Sequence, residues 1–417
     1  MAEKNRAGST ALVIGAGVIG HASAIALQRA GLAVTLVAPP TGPEASWGNA
    51  GHIATEQVEP LASRATIMSV HRRLFMRGGA LGLPPRDIAA WLPFSIRLLR
   101  SSGASRFSAG AHALGAMLGV ALPAWRTLLE TVGAASLLRE EGHFVLWESA
   151  ATAEAGRRRW AQTDIGTTSF RDATREELAQ IGSWFQVDAA GAIRFAGSAQ
   201  IADLPQLARA LDAAFRAGGG QRRLSRAIAL ERQGARATAR LDDGERLDAD
   251  LILVAAGVGS KPLLAPLGHH VPIIAERGYH IQMAAPDWPR DLPPIAFEDR
   301  SMIVTRFESG LRAASFVEFG REHSPPDPRK WARLRRHATQ LGLPVADDTN
   351  EWMGARPTLP DYLPAIGRSA AAPNILYAFG HQHLGLTLAA VTGEAVAAIA
   401  TGGASPFDTK PFALERF

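Results

Sequence analysis

The sequence predicts an α/β protein: a Rossmann-like domain, assembled from discontinuous stretches of chain, beside an α+β domain with a mixed or antiparallel sheet. Three observations predict it. Leu12-Val13-Ile14 runs into Gly15-Ala16-Gly17-Val18-Ile19-Gly20 and an apolar-periodic segment. A second apolar run, 251–256, ends in Gly257-Val258-Gly259. Near the far end, Arg356-Pro-Thr-Leu-Pro-Asp361 and Pro364-Ala-Ile-Gly367 precede Gly380-His381 and a long apolar helix opening at Gly385-Leu386-Thr387.

The elements follow in order. Residues 11–14 form a strand, 18–30 a helix closed by Gly31, and 33–38 a second strand stopped by Pro39-Pro40. A βαβ unit this short requires parallel strands. Residues 41–51 read as a loop, and 61–131 as amphipathic helices with polar breaks. A strand is expected at 143–147, a helix at 203–217 and a hairpin at Asp242-Asp243-Gly244. Short alternating runs between 271 and 319 suggest an antiparallel sheet, followed by helices at 327–341 and 387–400. Length alone argues for two domains. The expected division gives 1–85, 190–265 and 350–417 to the nucleotide domain, and 86–189 and 266–349 to the other.

Composition narrows the function. The 417 residues hold 47% hydrophobic and 20% charged residues, which suits a compact core. The net charge of +5 is scattered, which argues against a nucleic-acid partner. There is no cysteine, so disulfides and thiolate-bound metals or clusters within this chain are excluded. The N-terminus lacks a signal-peptide pattern, and no apolar run reaches the length of a membrane span. A cytoplasmic protein is expected, with peripheral attachment at the inner membrane as the alternative.

The glycines at 15, 17 and 20 have separate physical uses. Gly15 permits the turn out of the strand, Gly17 the approach of a pyrophosphate, and Gly20 close packing of helix on sheet. The helix start at Val18 and Ile19 offers N–H groups and the positive dipole end. Ala256 and Gly257 give a second strand end at the same crevice. One element is missing: the second strand ends Val37-Ala38-Pro39-Pro40, with no acid for the ribose. Glu44 in the next loop, or a backbone group, is left to replace it.

These segments, together with Gly48-Asn49-Ala50-Gly51, Arg277-Gly278-Tyr279 and Gly380-His381 through Thr387, occur in an order that resembles the FAD-dependent D-amino-acid oxidase superfamily. Within it the chain is similar to the bacterial D-amino-acid dehydrogenase branch. The resemblance implies FAD as cofactor. It places Ser46, Gly48, Asn49, Ala50 and Gly51 over the flavin and His52 facing flavin and substrate. It places Arg356 on the substrate carboxylate, with a hydroxyl hydrogen bond from Tyr279. Gly380, His381, Gly385, Leu386 and Thr387 would sit near the flavin pyrimidine edge, where a helix N-terminus stabilises negative charge.

Each role has a plainer competitor: Arg356 pairing with Asp361, Tyr279 as a strand aromatic, His52 capping a loop. His381 and His383, two apart beside glycine, make a poor ligand pair, so no metal is expected. Trp and Leu at 91–99 read as helix packing in preference to a membrane anchor. No lysine is suited to sit beside the flavin, which favours a quinone or other carrier over oxygen as acceptor. The implied reaction is oxidation of a D-amino or D-imino acid, with small or cyclic substrates such as D-proline or cis-4-hydroxy-D-proline preferred. The alternatives are a glycine- or sarcosine-type oxidase, or the flavin-binding subunit of a hetero-oligomer.

Overall fold

A computed structural model describes residues 9–40, 45–60 and 70–417. Glu44 and residues 61–69 of the expected helical region lie outside the described residues. The opening βαβ unit forms as its pattern dictates: strand Thr10–Ile14, helix Val18–Arg29, strand Ala33–Val37. Both strands are almost wholly apolar, because a parallel strand is covered on both faces. They belong to a six-stranded sheet ordered Gln221–Arg223, Ala33–Val37, Thr10–Ile14, Leu251–Val254, Ile375–Phe379, Ala365–Arg368. All pairs in it are parallel except the last. Three distant stretches of chain therefore build one sheet.

The closing helix Gly385–Thr401 lies against Val18–Arg29. The approach is close enough that a Cβ at Gly393 would stand 2.7 Å from the Ala22 carbonyl oxygen. Its start is pinned by Trp125, fully buried, whose indole N–H donates to the carbonyls of Leu386 at 2.9 Å and Thr387 at 3.1 Å.

The second sheet is mixed but mainly antiparallel. It runs Asn350–Thr358, Ile274–Met283, Gly310–Gly320, Met302–Phe307, Ile295–Phe297, His143–Trp147, Gly191–Ala196, Ser169–Asp172, with Leu81–Gly82 paired to Gly310–Gly320. Helix Pro328–Gln340 packs on it, with Asp327 as its N-cap. The expected hairpin at Asp242-Asp243-Gly244 joins Arg236–Leu241 to Arg246–Leu247. A short third sheet pairs His52–Ile53 with Ala199–Ile201, which sets the register of His52.

One expectation is corrected. By length and composition two helical stretches, Ala104–Thr131 and Gln382–Thr401, are long and apolar enough to cross a membrane. The second is mostly buried inside the protein, as a core helix covering a sheet must be.

Replacing Gly393 by leucine should cost stability by overpacking, about 1–3 kcal/mol. Thermal unfolding should show a lowered Tm; an unchanged Tm would contradict the close helix contact.

Candidate active site

The two sheets enclose a cavity of about 1810 Å³. A single drug-sized ligand needs roughly 300–1,000 Å³, so there is room for a dinucleotide and a small substrate. One end is the strand-to-helix turn. Gly15 has φ +113°, and a Cβ there would lie 2.4 Å from the Ala255 carbonyl oxygen. Only glycine can make this turn beside the second strand end. The helix start is shared with the following loop: Val18 N–H donates to Ser46 Oγ at 3.1 Å. Ser46 therefore belongs to the pyrophosphate end of the cavity. Val37, Ala38 and Pro39 line it there together with Arg226 and Ala227.

Most of the expected cofactor residues line this cavity: Gly15, Gly17, Val18, Ile19, Ser46, Gly48, Asn49, Ala50, Ala256, Gly257, His381, Gly385, Leu386 and Arg356. Four do not, and each has a packing reason. Gly20 lies under the turn, where a Cβ would strike the Gly15 carbonyl at 1.8 Å. Gly51 abuts the Phe307 ring and Gly380 abuts Leu359. Thr387 turns its hydroxyl to accept from Ala54 N–H at 3.0 Å. These four shape the walls.

The loop after the second strand is held from outside. Arg312 is buried; its guanidinium donates to the carbonyls of Trp47 and Asn49 and, at 2.8 Å, to Gln282. Burial pulls its pKa down to about 10. His280 donates from Nδ1 to the Gly48 carbonyl at 3.0 Å and stacks on Trp352. The sequence reading considered lysines only; a buried arginine grips this loop.

Arg356 reaches the cavity across two strands. In the Ile274–Met283/Asn350–Thr358 register it sits opposite Glu276. Its Nη1 donates to Phe316 O at 3.1 Å and lies 3.4 Å from Glu276 Oε1. The other Glu276 oxygen accepts from Thr358 and Tyr362 hydroxyls, both at 3.1 Å. Gly278 leaves the space: a Cβ there would meet Arg356 Nη2 at 2.3 Å. The suggested partner Asp361 is taken instead by Arg416, at 2.6 Å. Arg356 is thus braced on one edge and about a quarter exposed to the cavity, which suits a planar fork meeting a carboxylate.

Tyr279 departs from expectation. Its ring borders the cavity, but its hydroxyl donates to Glu318 at 3.0 Å and accepts from Asp327 N–H at 3.1 Å. Burial, reinforced by Glu318, pushes its pKa up to about 12. Arg277 and Lys330 complete that buried group around Glu318. Burial alone would raise the Glu318 pKa; the Lys330 and Arg277 bonds outweigh it and the net shift is downward. The hydroxyl is held by this network at the edge of the cavity.

His52 stands beside His143 and Glu56, whose donor atoms all lie within 4.8 Å of one another. The gaps are 4.0 Å from His52 Nε2 to Glu56 and 3.9 Å from His143 Nε2 to Glu56, too long for hydrogen bonds. Burial drives the His52 pKa down to about 4 and the Glu56 pKa up to about 8. At neutral pH the two imidazoles and the carboxyl are therefore uncharged. His52 is a weak base there, since a useful general base has a pKa near the working pH. His143 escapes sequence reading because it lies far from His52 along the chain, while Glu56, four positions after His52, carries no motif of its own. His381 and His383 have separate partners, Thr392 and Gln57, and burial lowers both to about 3.

Comparison with known proteins decides the family. The model of FAD-dependent oxidoreductases matches residues 10–399. The chain belongs to that family. FAD is accordingly its cofactor, and the protein is an FAD-dependent oxidoreductase. It is 31% identical to a D-amino-acid oxidase of Bradyrhizobium diazoefficiens over 97% of this chain and 98% of the relative. It is 27% identical to a D-amino acid dehydrogenase of Cereibacter sphaeroides, over 97% of this chain and 95% of that one. The glycine oxidase of Geobacillus kaustophilus shares the fold, with a TM-score of 0.72 at 20% identity, covering 98% of this chain and 99% of that one.

Two outcomes are expected. Gly15→Ala should leave the purified protein largely colourless, with the flavin-to-protein absorbance ratio at about 450 nm reduced at least tenfold. Glu56→Gln bears on pH. A carboxyl whose folded pKa is raised from 4.5 to about 8 contributes stability that is complete below 4.5 and lost as pH rises through 8. The amide cannot ionise, so the variant's Tm relative to the parent should climb steadily from pH 5 to pH 8 and level off above it. Parallel pH profiles for the two proteins would refute the burial of Glu56.

Proposed function

We propose that this enzyme oxidises the Cα–N bond of a D-amino acid to the imino acid. The observation that carries this reading is Arg356, a guanidinium braced on one edge by Glu276 and the Phe316 carbonyl and open to the flavin cavity on the other. It would take the substrate carboxylate in two parallel hydrogen bonds. The 31% identical D-amino-acid oxidase supports the same substrate class.

FAD, when bound, supplies the acceptor for the hydride leaving Cα. The chain's own residues orient and exclude water. Arg356 fixes the carboxylate and hence the direction in which Cα–H points. The start of Gly385–Thr401 presents N–H groups and a positive dipole end to negative charge in the cavity. The substrate amine must be neutral before its electrons can form C=N. Burial near Arg356 lowers the ammonium pKa, so the weakly basic His52 is a wall of the site more than its base.

The finer reading favours small or cyclic substrates, D-proline and cis-4-hydroxy-D-proline. It is supported by the likeness of Tyr279-His280 and 356–362 to enzymes of that kind. For the acceptor we infer a quinone or other carrier, with electrons leaving at a membrane surface or through a partner subunit. The 31% identical oxidase favours a second reading, oxygen as acceptor, which a hydrogen peroxide assay separates.

Anaerobic mixing with D-proline, cis-4-hydroxy-D-proline, D-alanine, their L-forms and sarcosine tests the proposal. Flavin absorbance near 450 nm should bleach with D-substrates alone. Bleaching by L-forms or sarcosine alone would overturn it. Arg356→Lys should raise KM at least tenfold by losing the bidentate fork. An unchanged KM would remove Arg356 from the substrate.

A further inference from the structure

Helix Ile88–Ser101 is apolar on two faces, unlike an ordinary surface helix. A helix on a globular protein turns its apolar stripe inward and its polar face outward. Here Phe94 is buried against Ile274 and Phe319, with Trp91 and Leu98 packed beside it. Yet Ile88, Leu92, Ile96 and Leu99 are 49%, 44%, 44% and 51% exposed. Their spacing of four, four and three places them on one face. Met76, at 78% the most exposed of the large apolar residues described, adds to the same region of sequence.

Charge accompanies this face. Between 70 and 106 the sequence carries arginine at 72, 73, 77, 86, 97, 100 and 106 and one acidic residue, Asp87. Asp87 is buried and accepts from the Ser324 hydroxyl at 2.7 Å, so it does not offset the arginines at the surface. Arg77, Arg86, Arg100 and Arg106 are exposed. Apolar side chains flanked along the chain by arginine, with no exposed acid between residues 70 and 106, suit the headgroup boundary of an anionic bilayer. A soluble partner protein would more often present a mixed-sign rim. The helix also borders the active cavity from its inward side, where Leu98 lines it, while the exposed face points away from it.

We propose that helix Ile88–Ser101 docks the enzyme on an anionic lipid surface through its exposed apolar face, with the cavity behind the docked helix. A lipid-soluble electron acceptor would then be held close to the enzyme at the membrane. The acceptor part rests on the reading that electrons leave to a carrier; the docking does not.

The test is flotation of the full-length FAD-loaded protein with vesicles of phosphatidylglycerol and phosphatidylethanolamine, against vesicles of phosphatidylcholine alone. The wild type should float with the anionic vesicles, remain free of the neutral ones, and be released by about 0.5 M salt. The double variant Leu92→Asp/Ile96→Asp should bind at least tenfold more weakly. Its turnover of D-substrate with a soluble dye should be unchanged, which shows that it folds and that the cavity is intact. No flotation of the wild type, or equal flotation of the variant, would overturn docking. So would a lipid-free dimer, seen by sedimentation velocity, that the same double substitution dissolves; the face would then belong to a second copy. Flotation without any flavin bleaching by D-substrates would instead fail the catalytic reading and leave docking standing.

Discussion

Strand Leu251–Val254 is the constraint on which the rest depends. It bonds to Thr10–Ile14 on one side and to Ile375–Phe379 on the other. Parallel pairing fixes the direction of all three, so their C-terminal ends open at one edge of the sheet. The turn at Gly15, the Ala256-Gly257 turn and the loop leading to Gly385 therefore meet in one place. Ligands bind at that edge in open α/β sheets. Without the middle strand, the two end motifs would be unrelated pieces of chain.

The second sheet supplies chemistry through buried ions. Glu276 and Glu318 lie on neighbouring strands and are both inaccessible to water. Each is satisfied by several donors: Thr358, Tyr362 and Arg356 around the first, Arg277, Lys330 and Tyr279 around the second. Removing one partner from such a group leaves a buried charge uncompensated, which costs far more than the pair contributes. These groups act as fixed frames. The first holds Arg356 at the cavity; the second consumes the Tyr279 hydroxyl that the sequence offers to substrate.

Polarity in the cavity is uneven, and burial is the cause. At the wall near His52, desolvation holds two imidazoles and a carboxyl neutral. Elsewhere the Arg312 guanidinium grips the Trp47–Asn49 loop and the Arg356 guanidinium reaches the cavity beside Glu276. Under the proposed function, an anionic substrate group would be drawn to Arg356, leaving the neutral wall for the remainder of the molecule.

The sequence by itself determined the parallel sheet, the glycine turn, the closing helix and the family, because each is a local pattern: an apolar run, a strand-to-helix turn, a periodic helix start. Through the resemblance it also pointed to Arg356, which the structure finds lining the cavity. Only the tertiary structure decided what holds Arg356 and the Tyr279 hydroxyl in place. Their partners Glu276 and Glu318 come from other positions in the sheet, and strand register is not written in either segment. The His52–Glu56–His143 wall and the outward apolar face of Ile88–Ser101 were hidden for the same reason. A periodic helix shows an apolar stripe in sequence, but which way that stripe turns depends on what the rest of the chain has already covered.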